Sequence, residues 1–141
     1  MGKNIRIKVR KSSGKSNAKS QVYDGIKFQS GLEVYCYIQL KENKIWAEYE
    51  PKSFILIEAF VYNGEKVRPM TYKPDFVGKE FIIECKGWAS MSWPLRWKIF
   101  KHMLYKNNIK YDLYLPRNRK DVNTVIDKIL KKRDEEKNKT V

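Results

Sequence analysis

Residues 73–86 read KPDFVGKEFIIECK, and this stretch decides the fold. Two short apolar runs lie on either side of Gly78 and Lys79, a pair typical of a tight turn, so the stretch predicts a β-hairpin. Residues two apart in a strand point to the same face of a sheet. We therefore expect Glu84 and Lys86 to project together, while the residues that alternate with them face the other way.

The hairpin also predicts the position of Asp75, which follows Pro74 at the end of the preceding segment. Asp75 would lie nearly opposite Glu84, where cross-strand neighbours are about 5–8 Å apart. Two carboxylates and the ammonium of Lys86 would then share one small volume, and such a group of side chains can hold Mg²⁺ and activate a water molecule.

Each acid also has an ordinary structural interpretation. An aspartate after a proline often caps a turn, which would account for Asp75. Glu84 could be an exposed residue of an edge strand. The run at residues 81–83 is apolar on both faces, however, and this favours a buried strand. A buried glutamate needs a partner or a metal ion.

Size and composition exclude several classes of protein. The chain has 141 residues, enough for one domain with a core. We expect no membrane association and no secretion, because no apolar run approaches ~20 residues and the basic N-terminus lacks an apolar signal region. Two cysteines, Cys36 and Cys85, indicate a reducing, intracellular setting. A single histidine, His102, argues against a histidine-based zinc site or a Ser-His-Asp triad.

The net charge of +14 is concentrated at the ends of the chain. Residues 1–20 carry seven basic residues and no acid, and residues 117–141 carry nine basic and five acidic residues. Nucleic acid is the natural partner of such a distribution, although a basic surface can also serve solubility. We interpret residues 1–20 as a basic flexible arm whose side chains contact phosphate. The residues expected to do so are Arg6, Arg10, Lys11, Lys15 and Lys19.

The remaining sequence predicts one α/β domain over residues 21–132 and a charged tail at 133–141 that frays. Helical spacing predicts helices at about 30–43, 94–107 and 120–132. Strands are expected at 45–49, 54–62, 67–72, 81–86 and 109–115, with Asn63-Gly64 as a hairpin turn. The core order is α-β-β-β-α-β, which predicts a central mixed β-sheet flanked by helices.

This arrangement resembles the PD-(D/E)XK nuclease superfamily, which has the restriction-endonuclease-like fold. The resemblance rests on an acid in the first helix, then Pro74-Asp75, then Glu84-x-Lys86. The wider pattern, over residues 24–33, 68–76 and 83–87, is similar to small phage-encoded endonucleases of the Holliday-junction resolvase type. It covers roughly residues 22–115.

The resemblance implies a Mg²⁺-dependent DNA endonuclease, with Mn²⁺ as a substitute ion. It implies hydrolysis of phosphodiester bonds in branched DNA by a homodimer. The biological setting would be DNA recombination or processing for a phage or mobile element, in the cytoplasm of a bacterium or an infected host cell.

The resemblance also implies roles for individual residues. Asp75 would bridge the metal ion and the scissile phosphate, and Glu84 would be the second carboxylate ligand. Cys85 would offer its backbone carbonyl to the metal, while its thiol fills the core. Lys86 would orient the attacking water or neutralise charge on the phosphate, as a compact ammonium can. Glu33 would add an acid from the first helix.

Alternatives remain open for these residues. Ser30 and Glu33 match the Ser-x-x-Glu capping box, in which the glutamate closes the helix N-terminus instead of binding metal. Lys86 could form an ion pair with Glu84 or Asp75 and take no part in chemistry.

The second helix offers further candidates. Lys98 and Lys101 lie three apart on its polar side, where they could contact phosphate or simply be solvated. Trp88, Trp93 and Trp97 could stack on bases of an opened junction, but packing in the core or at a dimer interface is the commoner use of such residues.

Three functions are therefore weighed. The first is a resolvase-like endonuclease. The second keeps the chemistry but cuts transposon ends or nicks duplex DNA. The third is a non-catalytic nucleic-acid-binding module.

Overall fold

A four-stranded mixed sheet lies at the centre of the fold. The computed structural model describes residues 19–87 and 90–139. The strands and helices in these residues are β1 (Gln21–Tyr23), β2 (Ile26–Phe28), α1 (Gly31–Glu42), β3 (Ala47–Tyr49), β4 (Phe54–Ile57), β5 (Phe60–Tyr62), β6 (Glu65–Val67), β7 (Met70–Tyr72), β8 (Phe76–Gly78), β9 (Phe81–Ile83), α2 (Trp93–Lys106), β10 (Asp112–Tyr114) and α3 (Arg119–Lys139). The central sheet has the order β10-β9-β8-β3. Because β10 is parallel to β9 while β8 is antiparallel to β9 and β3, the predicted mixed sheet is confirmed.

The hairpin of residues 73–86 forms the middle of this sheet as β8 and β9. Its turn consists of Lys79 and Glu80, so the predicted turn at Gly78-Lys79 begins one residue too early. Gly78 stays in β8 because the ring of Phe81 packs over it. A Cβ added at Gly78 would lie 2.3 Å from that ring, which only glycine avoids.

The two faces of the sheet support two separate hydrophobic clusters. On one face, Phe81 and Ile83 pack with residues of α1 and α3, among them Cys36 and Val122. On the other face, Ile82 packs with the Trp93, Phe100 and Leu104 side chains of α2. Strand residues alternate between the faces, so Glu84 and Lys86 continue the face of Ile82, as the sequence predicts.

A two-stranded ribbon is inserted between β3 and β8 and does not join the central sheet. In it, β4 pairs with β7 and β5 pairs with β6. Asn63 and Gly64 form its tip, with backbone φ angles of 48° and 78°. Both angles lie in the left-handed region required by a type I′ hairpin turn, which confirms the predicted turn.

The helices differ from expectation mainly at the C-terminus. Ser30 caps α1, since its hydroxyl accepts a hydrogen bond from the backbone N–H of Glu33. The third helix is longer than predicted: α3 runs to Lys139, so the boundary expected between residues 132 and 133 falls inside it. Arg133 helps to hold this part of the helix, because its guanidinium donates a hydrogen bond of 3.1 Å to the carbonyl of Lys44.

Without the ribbon and the β1–β2 hairpin, the elements follow the order α1, β3, β8, β9, α2, β10, and then α3. The α/β class predicted from the sequence is therefore confirmed. Within residues 19–87 and 90–139, none of the helices combines the length and the apolar character that crossing a membrane requires.

Candidate metal centre

The β8–β9 hairpin places Asp75 and Glu84 side by side. Phe76 pairs with Ile83, so the two acids that flank this pair lie opposite each other across the strands. The backbone N–H of Asp75 donates a hydrogen bond of 3.2 Å to Oε2 of Glu84. Asp75 is 8% exposed and Glu84 is 7% exposed, so two neighbouring carboxylates are both withdrawn from water.

Glu33 reaches the same region from the first turn of α1, and it is also buried. Its Oε2 accepts a hydrogen bond of 2.8 Å from the hydroxyl of Ser30, and its Oε1 accepts one of 3.0 Å from the hydroxyl of Tyr49. The helix cap and the site therefore coexist. Ser30 satisfies the helix N-terminus, while the Glu33 carboxylate is held beside Asp75.

Glu50 belongs to this group of acids, and the sequence interpretation missed it. Among the residues that the structure describes, Glu33, Glu50 and Asp75 form a group whose carboxylate oxygens lie within 4.8 Å of one another. The backbone N–H of Glu50 donates a hydrogen bond of 2.8 Å to the carbonyl of Asp75. The φ angle of Glu50 is 45°, a left-handed conformation that costs about 1–3 kcal/mol outside glycine.

The sequence around Glu50 resembles that around Asp75, but it does not reveal that the two strands pair. Glu50-Pro51 ends β3, just as Pro74-Asp75 precedes β8, and the two strands are antiparallel neighbours. From the sequence alone a strand was expected at 45–49, and Glu50 was given no role. The pairing of β3 with β8 was not evident, because the whole ribbon separates them along the chain.

Tyr72 and Lys86 hold the Glu84 side chain. The hydroxyl of Tyr72 donates a hydrogen bond of 2.7 Å to Oε2 of Glu84. The ammonium of Lys86 lies 3.9 Å from Oε1 of Glu84 and 4.3 Å from the centre of the Trp93 ring. With 28% of its side chain exposed, Lys86 lies between the buried acids and the solvent. The cation–π contact with Trp93 and the ion pair with Glu84 hold the ammonium of Lys86 in this position.

In the absence of a cation, the surroundings disfavour the ionised form of Asp75 and Glu84. Burial raises the pKa of Asp75 to about 9, and the charges of Glu84 and Glu33 act in the same direction. Burial also raises the pKa of Glu84, although the hydrogen bond from Tyr72 and the charge of Lys86 oppose the shift. A bound divalent cation would remove this penalty, because it favours the ionised form of every nearby acid.

Cys85 contributes through its backbone. Its N–H donates a hydrogen bond of 2.8 Å to Oδ2 of Asp75. The thiol turns to the opposite face of the sheet, where it packs against the cluster that contains Cys36. A hydrogen bond with Cys36 and burial raise the pKa of the Cys85 thiol, which suits a core side chain rather than a nucleophile.

A family model described as "Protein of unknown function (DUF1064)" matches residues 13–118. The chain belongs to this family. No match was found among curated proteins or among solved structures. The part of the chain that matches DUF1064 ends just after β10. It contains all four acids of the site and Lys86, so the site lies wholly within the shared domain.

The expected nucleic-acid contacts are only partly placed by the structure. Lys98 and Lys101, inside the DUF1064 domain, are exposed on α2, and Lys19 is exposed before β1. The other four members of the proposed arm lie outside the described residues: Arg6, Arg10, Lys11 and Lys15.

Two of the three tryptophans are used in packing. Trp93 and Trp97 stack on each other with ring centres 5.4 Å apart, and each also contacts the ring of Tyr72. This agrees with the packing interpretation rather than with base stacking. Trp88 lies outside the described residues.

Proposed function

We propose that this protein is a Mg²⁺-dependent DNA endonuclease that hydrolyses phosphodiester bonds. One observation carries the proposal: Asp75 and Glu84 are buried side by side at the ends of the two middle strands of the central sheet, with Lys86 beside them. The order of α1, β3, β8, β9, α2 and β10 is compatible with the restriction-endonuclease-like core that the sequence resemblance implies.

The donor set fits a hard divalent cation. Mg²⁺ prefers carboxylate, carbonyl and water oxygens, and this site offers several carboxylates close together. Asp75 and Glu84 would hold the ion, with the backbone carbonyl of Cys85 as the resemblance implies. Glu33 and Glu50 extend the acidic group. Mn²⁺ has similar ligand preferences and would substitute. When bound, the ion would polarise the phosphodiester and lower the pKa of a water molecule.

The residues around the acids orient them. The phenol of Tyr72 remains a hydrogen-bond donor because burial and the charge of Glu84 raise its pKa, so it holds Oε2 of Glu84. Ser30 and Tyr49 hold the two oxygens of Glu33 in the same way. Groups fixed before the substrate arrives need no rearrangement during the reaction, which is a major source of catalysis.

Lys86 supplies the positive charge of the site. Its ammonium is partly exposed and is held between Glu84 and the Trp93 ring, where an approaching phosphate would meet it. We infer that it orients the attacking water or stabilises the charge that develops on the phosphate. Removing a group with this role from an enzyme typically costs about 10²–10³-fold in rate.

We further propose that the substrate is DNA, and branched DNA in particular. The net charge of +14 favours a polyanion. Lys98 and Lys101 are exposed on α2, the helix that covers the sheet face of Glu84 and Lys86, where they could contact phosphates. Branch preference, and a role in phage or mobile-element recombination in the cytoplasm, follow from the resemblance to junction-resolving endonucleases.

The test compares three DNA substrates in the presence of Mg²⁺ or EDTA: a four-way junction, linear duplex and supercoiled plasmid. The variants are Asp75→Asn and Glu84→Gln, with Asp127→Asn as the matched control because Asp127 is exposed on α3. We expect cleavage by the wild type and the control with Mg²⁺ only, and retained binding without cleavage by the two site variants.

Each outcome has a definite meaning. Symmetric cuts near the branch support a resolvase, whereas equal cutting of linear duplex points to a general or transposon-end nuclease with the same site. Binding without cleavage by the wild type, with either Mg²⁺ or Mn²⁺, would leave the non-catalytic module as the correct function. Full cleavage by Asp75→Asn would show that the site is wrongly assigned.

A further inference from the structure

The pairing of β9 with β10 continues past the ends of the two strands, towards the acidic group. Within the strands, Ile83 pairs with Tyr114. The backbone N–H of Glu84 donates a hydrogen bond of 3.0 Å to the carbonyl of Tyr114, and the N–H of Lys86 donates one of 3.0 Å to the carbonyl of Pro116. Both bonds belong to one ladder, because the donor and the acceptor each advance by two residues. Pro116 has no N–H to continue the ladder, so β10 ends before it although the two chains stay in register.

Arg117 is therefore the neighbour of Lys86 in the sheet. Counting three residues on from the Ile83–Tyr114 pair brings Lys86 opposite Arg117. Paired residues of neighbouring strands point to the same face, so the side chains of Arg117 and Lys86 leave the sheet together, on the face that α2 covers. The chains are still adjacent one residue further on, since a Cβ added at Gly87 would lie 3.9 Å from the carbonyl oxygen of Arg117.

The side chain of Arg117 is exposed, and its guanidinium makes no hydrogen bond or ion pair with the residues that the structure describes. Its backbone, in contrast, is fixed, because the N–H of Arg117 donates a hydrogen bond of 3.0 Å to Oδ2 of Asp121. Arg119 is held differently, with its guanidinium 5.0 Å from the centre of the Tyr35 ring. Arg117 thus presents five hydrogen-bond donors to the solvent beside Lys86.

Two cations at paired positions of a sheet repel each other. Neighbouring strands are about 4.8 Å apart, and like charges directly opposite each other are destabilising. Glu84, at 3.9 Å, offsets the charge of Lys86, but no acid of the described residues pairs with Arg117. An anion bound between the two side chains would turn this repulsion into attraction. A phosphate group suits the pair, because the arginine fork binds two of its oxygens while an ammonium acts as a point charge.

We propose that Arg117 and Lys86 together bind one phosphate group of the DNA backbone, beside Asp75 and Glu84. This inference deepens the proposed function and rests on it, since the phosphate is the one that the acids would act on. The fork of Arg117 would fix the orientation of the phosphate oxygens, which a single ammonium cannot do. Contacts to phosphate carry no sequence information, so the pair would serve duplex and branched DNA alike.

The experiment measures the binding of fluorescently labelled duplex and four-way-junction DNA by anisotropy, in EDTA and at several salt concentrations. The test variant is Arg117→Gln, and Arg117→Lys keeps the charge but removes the fork. The matched control is Arg68→Gln, because Arg68 is an exposed arginine between β6 and β7. Urea unfolding, followed by circular dichroism, reports the stability of each protein.

We expect Arg117→Gln to raise the dissociation constant for both DNAs by at least about tenfold and to reduce the slope of log affinity against log salt by about 1. Arg117→Lys should restore the slope but only part of the affinity, and Arg68→Gln should bind like the wild type. Arg117→Gln should be at least as stable as the wild type, because the repulsion from Lys86 is gone.

Several results would overturn the proposal. Equal losses of affinity in Arg117→Gln and Arg68→Gln would reduce the effect to net charge alone. An unchanged salt slope in Arg117→Gln would mean that no phosphate contact was lost. A slope that Arg117→Lys fails to restore, or an Arg117→Gln protein clearly less stable than the wild type, would give Arg117 a structural role instead.

A double-mutant cycle with Lys86→Gln tests whether the two cations hold the same phosphate. If they do, the loss of affinity in the double variant should be at least about threefold smaller than the product of the two single losses. A double variant whose loss equals that product would mean that the two side chains bind separate phosphates, which contradicts the proposal.

Binding in EDTA requires neither a metal ion nor cleavage, so failure of this proposal and failure of the nuclease proposal are distinguishable. A wild type that never cleaves DNA, with the effects of Arg117→Gln on binding intact, would remove the nuclease proposal and keep the phosphate contact. Wild-type cleavage, with normal binding and a normal single-turnover rate for Arg117→Gln, would do the reverse. If both proposals hold, Arg117→Gln should also lower the single-turnover rate at saturating protein, by about 10²-fold.

Discussion

Asp75→Asn should reduce the pH dependence of the stability of the metal-free protein between pH 5 and pH 8. Burial and the charges of Glu84 and Glu33 raise the pKa of Asp75 from 3.8 to about 9. The folded-state pKa lies above the unfolded-state value, so the contribution of the protonated carboxyl to stability is complete below about pH 3.8. It is lost as the pH rises towards 9.

Two estimates give the size of the change in the free energy of unfolding. One proton held by the folded but not the unfolded state changes the free energy of unfolding by about 1.4 kcal/mol per pH unit, or about 4 kcal/mol from pH 5 to pH 8. For comparison, two carboxylate charges 4.8 Å apart, the largest separation in the group Glu33, Glu50 and Asp75, repel each other by about 3.5 kcal/mol at an effective dielectric constant of 20. We therefore expect the wild type to lose about 3–4 kcal/mol of stability over this range through Asp75, and Asp75→Asn to lose clearly less, because only the raised pKa of Glu84 remains.

The measurement is urea unfolding, followed by circular dichroism, in EDTA at half-unit steps of pH. Asp127→Asn makes the same chemical change at an exposed position of α3 and should keep the wild-type slope. Equal slopes in wild type and Asp75→Asn would refute the reasoning, because Asp75 would then be an ordinary carboxylate in the folded protein.

Three further outcomes are expected. Tyr72→Phe should lower the free energy of unfolding by about 1.5–3 kcal/mol, measured in urea, because it removes a buried hydrogen bond to a charged group. Lys86→Met should lower the cleavage rate about 10²–10³-fold with an unchanged circular dichroism spectrum, and a smaller loss would mean that Lys86 is only an ion-pair partner of Glu84. The double variant Lys98→Ala and Lys101→Ala should weaken DNA binding and reduce the slope of log affinity against log salt by about 2, as measured by fluorescence anisotropy. An unchanged slope would mean that this face of α2 is merely solvated.

Features that depend on residues close together in the sequence could be predicted from the sequence alone. The alternation of strand residues predicts that Glu84 and Lys86 share a face, and a tight turn after β8 predicts that Asp75 lies opposite Glu84. Both statements depend on residues less than fifteen positions apart, where the geometry of a hairpin leaves little freedom. The predicted turn was displaced by one residue because the packing of the Phe81 ring on Gly78 cannot be inferred from turn propensities.

Long-range pairing was the part that the sequence could not supply. Glu50 enters the site because β3 pairs with β8, and nothing local to Glu50 records that pairing. The C-terminal part of α3 lacks the apolar spacing that indicates a buried helix, and the hydrogen bond from Arg133 to Lys44 that holds its start is not visible in the sequence. In both cases the deciding interaction joins segments that are distant in sequence.

The cost of the acidic group is itself an argument about function. Burying neighbouring carboxylates destabilises a folded protein, and Lys86, at 3.9 Å from Glu84, offsets only part of that cost. Tyr72, Tyr49 and Ser30 nevertheless hold these carboxylates in fixed positions, although apolar side chains could fill the same space more favourably. Stability is commonly given up in this way at sites that need a particular arrangement of charge. A divalent cation bound by the same oxygens would turn this cost into a favourable interaction, which supports our proposal of a metal ion at this site.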